Sequence, residues 1–177
     1  HILHAADVDK DHRDEIIVGS AVVDDNGNGL WSTGFGHPDF CFIGDISPTH
    51  PGLEIFYGIE PAHRDNGLCL VDARTGSLLW GLQSQTVHVG TDGMCADIDP
   101  SHPGSECHAA DLDRDRKYSK SWLFSSQGEL LSEEKQATMS QPVYWDADRQ
   151  RELVRGGTIV DFQGDEHAPK LQGHWVA

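Results

Sequence analysis

The sequence has no apolar run near the roughly 20 residues that cross a bilayer as a helix, almost no helical periodicity, and no Cys-x-x-Cys pair. The first absence excludes a helical membrane span, and the second leaves strands to build the core. The third argues against a zinc ribbon or a thioredoxin-like site. Three of the four cysteines, Cys41, Cys69, Cys95 and Cys107, sit among strand-like residues, which favours buried free thiols over disulfides. Cations are scarce as well, with 13 Lys and Arg against 29 Asp and Glu, a net charge of −16. Such a surface repels phosphate backbones and anionic headgroups, so neither nucleic acid nor a membrane is an expected partner. Glutamate is the rarer acid, 9 against 20 Asp. Asp is a turn and cap residue and a poor helix former, so the negative charge belongs in loops. The chain opens at His1 without a charged or apolar leader, so a mature chain or an excised piece is expected.

What is present is a chain of 177 residues, 37% hydrophobic, with 19 Gly and 8 Pro. That suits one ordinary domain of many short elements rather than a disordered acidic tail. Short apolar runs predict strands over 15–19, 29–32, 41–45, 53–59, 67–72, 77–81, 93–98, 121–125, 129–133, 143–146, 152–155 and 158–161. The pattern predicts an all-β fold.

The chain also repeats itself. Ala6-Asp7-Val8-Asp9, Gly44-Asp45-Ile46-Ser47, Ala96-Asp97-Ile98-Asp99 and Trp145-Asp146-Ala147-Asp148 each precede a Glu that opens a strand. The leading Asp residues are 38, 52 and 49 residues apart. A second repeat follows a strand each time: Asn28-Gly29-Leu30-Trp31, Gly76-Ser77-Leu78-Leu79-Trp80 and Gly128-Glu129-Leu130-Leu131. Units of this size and content predict β-propeller blades, about three to three and a half of them. The expected blades are 1–40, 41–92, 93–141 and an incomplete 142–177, with the remaining blades supplied from outside this chain. Trp31, Trp80, Trp122 and Trp145 are read as blade core, Trp80 and Trp145 recurring at equivalent positions.

The acidic loops suggest calcium. Asp7, Asp9 and Asp11 alternate, with Asp14 and Glu15 close behind, and Asp111, Asp113 and Asp115 repeat the spacing. Asp97 with Asp99 and Asp146 with Asp148 are thinner versions. Calcium takes six to eight oxygens from a turning loop, which alternate carboxylates supply. The EF-hand glycine at the sixth position is replaced by His12, so a short propeller loop fits better. The alternative is that these Asp residues only cap turns. Among the 11 histidines, Gly36-His37-Pro38-Asp39 places an imidazole and a carboxylate two apart beside a Gly-rich turn, a mixed N/O site.

Several stretches in order resemble a known family. Ala6-Asp7-Val8-Asp9 with Asp14-Glu15-Ile16-Ile17-Val18-Gly19-Ser20, Ser32-Thr33-Gly34-Phe35-Gly36-His37-Pro38-Asp39, Gly52-Leu53-Glu54-Ile55-Phe56 and Gly93-Met94-Cys95-Ala96-Asp97-Ile98-Asp99-Pro100 are similar to family 11 polysaccharide lyases, the rhamnogalacturonan lyases. The resemblance covers about residues 1 to 161. It implies an eight-bladed calcium-bearing propeller that cleaves the rhamnogalacturonan of pectin by β-elimination, in an extracellular or periplasmic setting. It also implies an active-site calcium on His1, His37, Asp39 and Glu60. Two departures stand out. Asp92 takes the place of a family Arg, and Glu166 falls where a family Lys is expected; both cations help hold the substrate carboxylate in that family. His88, His167 and His174 are candidates for the vacated base or carboxylate-binding role, His88 foremost. The competing reading is a silent, calcium-stabilised carbohydrate-binding or adhesion propeller.

Overall fold

The computed structural model describes residues 3–90, 93–115, 117–133, 141–155 and 158–162. His1, Asp92, Glu166, His167 and His174 lie outside them. Fifteen strands form four antiparallel sheets, each built from consecutive strands, and no helix occurs among the described residues. The first sheet holds β1 (Leu3–Ala6), β2 (Glu15–Val18), β3 (Ala21–Val23) and β4 (Gly29–Ser32). The second holds β5 (Pro38–Gly44), β6 (Glu54–Ile59), β7 (Leu68–Asp72) and β8 (Leu78–Gly81). The third holds β9 (Met94–Ala96), β10 (Glu106–Leu112), β11 (Tyr118–Phe124) and β12 (Leu130–Ser132). The fourth holds β13 (Pro142–Val143), β14 (Glu152–Arg155) and β15 (Thr158–Val160).

The sheets pack face to face in chain order, and the period-2 alternation of side chains decides which face each residue serves. On β6, Ile55, Tyr57 and Ile59 join Val8, Ile17 and Val22 of the first sheet. Phe56, on the opposite face, joins Cys107, Ala109, Trp122 and Phe124 of the third. Every residue of β6 is therefore buried, and after Glu54 the strand reads as a continuous apolar run. Met94, Ile98 and Leu123 meet Leu153 and Val160 between the third and fourth sheets.

One joint recurs between sheets. Trp31 on β4 donates its indole N–H to the Ala73 carbonyl at 3.0 Å, and Trp80 on β8 donates to the Ser126 carbonyl at 3.0 Å. Each ring lies against a turn glycine, Gly76 or Gly128, at positive φ, where a Cβ would fall 2.6 Å from the ring. Only glycine meets both demands there. Trp145 is not equivalent to Trp80: it follows β13 in a loop and is half exposed. Trp122 is core. All four cysteines are free thiols, with Cys95 and Cys107 cross-strand neighbours whose sulfurs stand 3.6 Å apart.

A histidine cluster and the buried glutamates of the acidic loops

The Glu that opens the second strand of each sheet is buried and points back into the acidic loop. Glu15 Oε2 accepts from Val8 N at 2.7 Å, and Glu152 Oε2 from Trp145 N at 2.8 Å. Glu54 Oε2 accepts from Ile46 N and Ser47 N at 2.7 and 3.0 Å, and Glu106 Oε2 from Ile98 N and Asp99 N, both at 2.9 Å. Each loop thereby satisfies backbone donors that would otherwise be orphaned. The other carboxylate oxygen of Glu15, Glu54 and Glu106 is buried without a hydrogen-bond partner. Burial pushes all three carboxyls up, that of Glu106 to about 7, against the pull of the amide donors. Glu54, Glu106 and Glu152 were not among the candidate residues read from the sequence, although a Glu at the start of each second strand was visible there as a repeat.

The loops then diverge. Around Glu15, ligating oxygens of Asp7 and Asp9 converge, all within 4.8 Å of one another, and Asp146, Asp148 and Glu152 form a like group. An unpartnered buried carboxylate oxygen beside two further carboxylates suits a hard cation whose Glu binds through both oxygens. The same Asp residues also hold the turn. Asp7 accepts from the Asp11 and His12 amides, Asp9 from Asp11, and Asp11 from Arg13, with Lys10 and His12 at positive φ. Asp14 is exposed. Asp97 and Asp99 do not gather with Glu106 into such a group. Asp97 accepts from the Gln150 side chain at 3.3 Å. Asp99 is buried, which raises its carboxyl, but hydrogen bonds from Ser101 and His102 outweigh burial and hold it below the usual range.

Asp111, Asp113 and Asp115 form no three-ligand group among the described residues. Asp113 Oδ1 accepts from the Asp115 and Lys117 amides, a turn role. Asp111 is buried, and its carboxylate accepts from Val87 N at 3.0 Å and His88 N at 2.7 Å. Together with Leu112 N to His88 O at 2.8 Å and Gly90 N to Ala110 O at 3.1 Å, it straps the 87–90 segment onto β10. Asp111 is thus an anchor for His88.

His88 belongs to the densest cluster. Its Nε2 lies 3.1 Å from Asp39 Oδ2 and its Nδ1 3.9 Å from Glu60 Oε1. His37 Nδ1 lies 2.9 Å from Glu60 Oε2. His37, Asp39 and Glu60 each offer an atom within 4.8 Å of the others. Local geometry explains the convergence. Gly36 has φ +96°, open to glycine and strained for most residues, and it turns the chain into β5. The β5–β6 register shifts between Pro38 and Phe40, a bulge at Asp39, and bulges re-aim side chains beside functional sites. Glu60 N donates to the His37 carbonyl at 2.9 Å, which fixes the two ends together. Ser20 Oγ donates to Gly36 O at 2.7 Å, and His63 Nε2 lies 2.8 Å from Phe35 O, bracing the turn from both sides. Two imidazoles and two half-buried carboxylates at a strand end can hold a cation, orient a carboxylate-bearing ligand and accept a proton. Asp111→Asn keeps the shape but weakens the strap. It is expected to speed amide hydrogen exchange at Val87 and His88 by about tenfold with the melting temperature nearly unchanged, and unchanged exchange would remove Asp111 as the anchor of this segment.

Comparison with known proteins gives a consistent result. Residues 1–172 match the model of rhamnogalacturonan lyase family 11, C-terminal domain. The chain is 42% identical over 175 residues to rhamnogalacturonan exolyase YesX of Bacillus subtilis strain 168, covering 97% of this chain and 27% of that protein. It is 40% identical over 162 residues to rhamnogalacturonan endolyase YesW of the same strain, covering 90% and 24%. The solved rhamnogalacturonan lyase PL11 of Bacillus licheniformis superposes with a TM-score of 0.77 at 37% identity, over 91% of this chain and 26% of that one. The chain spans about a quarter of the length of the curated relatives it matches.

Proposed function

The chain belongs to rhamnogalacturonan lyase family 11, and on that premise we propose that it is part of a calcium-dependent polysaccharide lyase that cleaves rhamnogalacturonan by β-elimination on a β-propeller. The observation that carries this reading is the convergence of His37, Asp39, Glu60 and His88 at one end of the second sheet. Four sheets of consecutive antiparallel strands, packed in series and joined by the repeated Trp–Gly contact, support the propeller. So does the outer face of the first sheet, which leaves Leu3, Ile16 and Val18 exposed as an apolar surface that a further blade would cover.

Calcium would be held by His37, Asp39 and Glu60, with the acidic loop of Asp7, Asp9 and Glu15 as a separate structural site, and when bound it neutralises a uronate carboxylate and acidifies the neighbouring C5–H. The residues of the chain do the rest. His88 Nε2 lies 3.1 Å from Asp39 Oδ2, and a proton held on Nε2 beside that carboxylate leaves Nδ1 as the nitrogen that can accept one. His88 takes the C5 proton, the electron pair forms the C4–C5 double bond, and the C4–O bond breaks with the leaving oxygen gaining a proton from water. The bulge at Asp39 and the strap through Asp111 hold these groups before substrate arrives. The substrate is an anionic polysaccharide handled outside the cytoplasm.

The test is the chemistry of the product. Incubating the protein that carries this chain with rhamnogalacturonan and calcium is expected to give oligosaccharides with an unsaturated uronate at the new non-reducing end. Saturated ends would indicate hydrolysis. Binding without product would favour the carbohydrate-binding reading.

A further inference from the structure

A second recess opens at the other end of β5. Asp39 lies at the start of that strand and Asp45 just past its end, so the two sites stand about 20 Å apart at roughly 3.4 Å per residue. The recess has a volume of about 470 Å³, and Asp45, Asp97, Ser105, Tyr144 and Arg151 line it. That size is within the range of small-ligand sites.

Arg151 is its distinctive feature. In a chain with more than two acids per cation, its guanidinium makes no ion pair among the described residues. Instead it stacks over the Tyr144 ring, 4.5 Å from the ring centre. Its backbone N–H donates to the Asp97 carbonyl at 2.7 Å, and the adjacent Gln150 side chain reaches Asp97 Oδ1. The cation is therefore held in place by stacking and backbone bonding while its donors stay available. Tyr144 is 67% exposed, so its ring meets water at the rim, and the next residue, Trp145, is 48% exposed. Asp45 and Asp97 offer carboxylate acceptors in the same lining. A dense polyanion would be repelled by them. A ligand with one carboxylate, several hydroxyls and an apolar ring face is matched at every point.

We propose that this recess is a second carbohydrate site, which binds a uronate-containing oligosaccharide with its carboxylate on Arg151, its hydroxyls on Asp45 and Asp97, and a sugar face on Tyr144, with the neighbouring Trp145 as reporter. The ligand class rests on the lyase reading above, while the recess and its chemistry do not. Such a site holds polymer on the side of the sheets away from His37 and keeps it near the cleaving end without taking part in the reaction.

Binding is measured by tryptophan fluorescence in the His37→Ala variant, with a tetrasaccharide of alternating galacturonate and rhamnose and its carboxyl-reduced form as probes. The intact probe is expected to quench fluorescence, and most of the quench should vanish in Trp145→Phe. Arg151→Ala and Tyr144→Ala should each weaken binding about tenfold. Carboxyl reduction should weaken it similarly, with no further loss in Arg151→Ala. Neither side chain belongs to a core cluster, so melting temperatures should hold and report that the variants fold. Unchanged affinity in both variants overturns the proposal. Lyase activity of the unmodified protein is read alongside: activity with no effect of Arg151 or Tyr144 overturns the second site alone, and binding at the recess without activity overturns the lyase reading alone.

Discussion

His37→Ala is expected to lower the release of unsaturated uronate from rhamnogalacturonan by on the order of 10²–10³-fold, the scale on which removing one group that stabilises developing charge acts. The reasoning is geometric. His37 Nδ1 is 2.9 Å from Glu60 Oε2, and Glu60 Oε1 faces His88. Loss of the imidazole removes one of three convergent ligand atoms and frees Glu60 to swing from the cluster. Part of the loss should return at high calcium, because the variant's weaker hold on the ion is then saturated. His37 is half-buried and outside the core clusters, so thermal stability in the absence of added metal should change little. Measuring turnover against calcium concentration separates this from a general defect: a variant that kept full turnover at all calcium levels would remove His37 from the site.

Glu106→Ala should be strongly destabilising. It deletes the acceptor for two backbone amides, Ile98 N and Asp99 N, in a loop where both residues are buried. Each orphaned buried donor costs about 1–3 kcal/mol. The sum, about 2–6 kcal/mol, corresponds to a melting temperature lower by about 10 °C in a chain of this size. Glu106→Gln keeps an oxygen that can accept both bonds. Burial already pushes the Glu106 carboxyl up to about 7, so a neutral side chain suits the site, and the expected cost is about 1 kcal/mol. Thermal melts of the two variants decide the matter. Equal losses would mean that the charge rather than the hydrogen bonds holds the loop, and would place a cation against the unpartnered Glu106 oxygen.

Much of the sheet structure could be read from the chain because its signals are local. Leu53–Ile59 and Gly67–Asp72 are apolar runs bounded by turn residues, and β6 and β7 lie within them, each one residue shorter at its start. β10 was missed for a physical reason. Its sequence, Glu106-Cys107-His108-Ala109-Ala110-Asp111-Leu112, holds residues of poor strand propensity, and it is a strand because it is enclosed on both faces and by β9 and β11 at its edges. β3, three residues between Ser20 and Asp24, is too short to show alternation, and β1 lies at the edge of the first sheet with a weak pattern. At the site, His37 and Asp39 were legible as a pair two apart beside a Gly-rich turn, Glu60 came only from a family resemblance, and their convergence needs the bulge and the β5–β6 pairing that no spacing reveals. His88 and its anchor Asp111 stand 23 residues apart, and Asp111 was grouped with Asp113 and Asp115 on spacing alone. Alternation in sequence records where carboxylates occur, while burial decides whether each turns to a cation, a turn or a distant loop.

The central claim is that the His37, Asp39, Glu60 and His88 cluster works as a calcium-dependent eliminating site. It is tested most directly by following unsaturated uronate, through its ultraviolet absorbance, as the protein carrying this chain acts on rhamnogalacturonan in excess chelator and again after calcium is restored. Absorbance is expected to stop rising in chelator and to resume with calcium. An undiminished rate in chelator, or no absorbance under any calcium concentration, would contradict it.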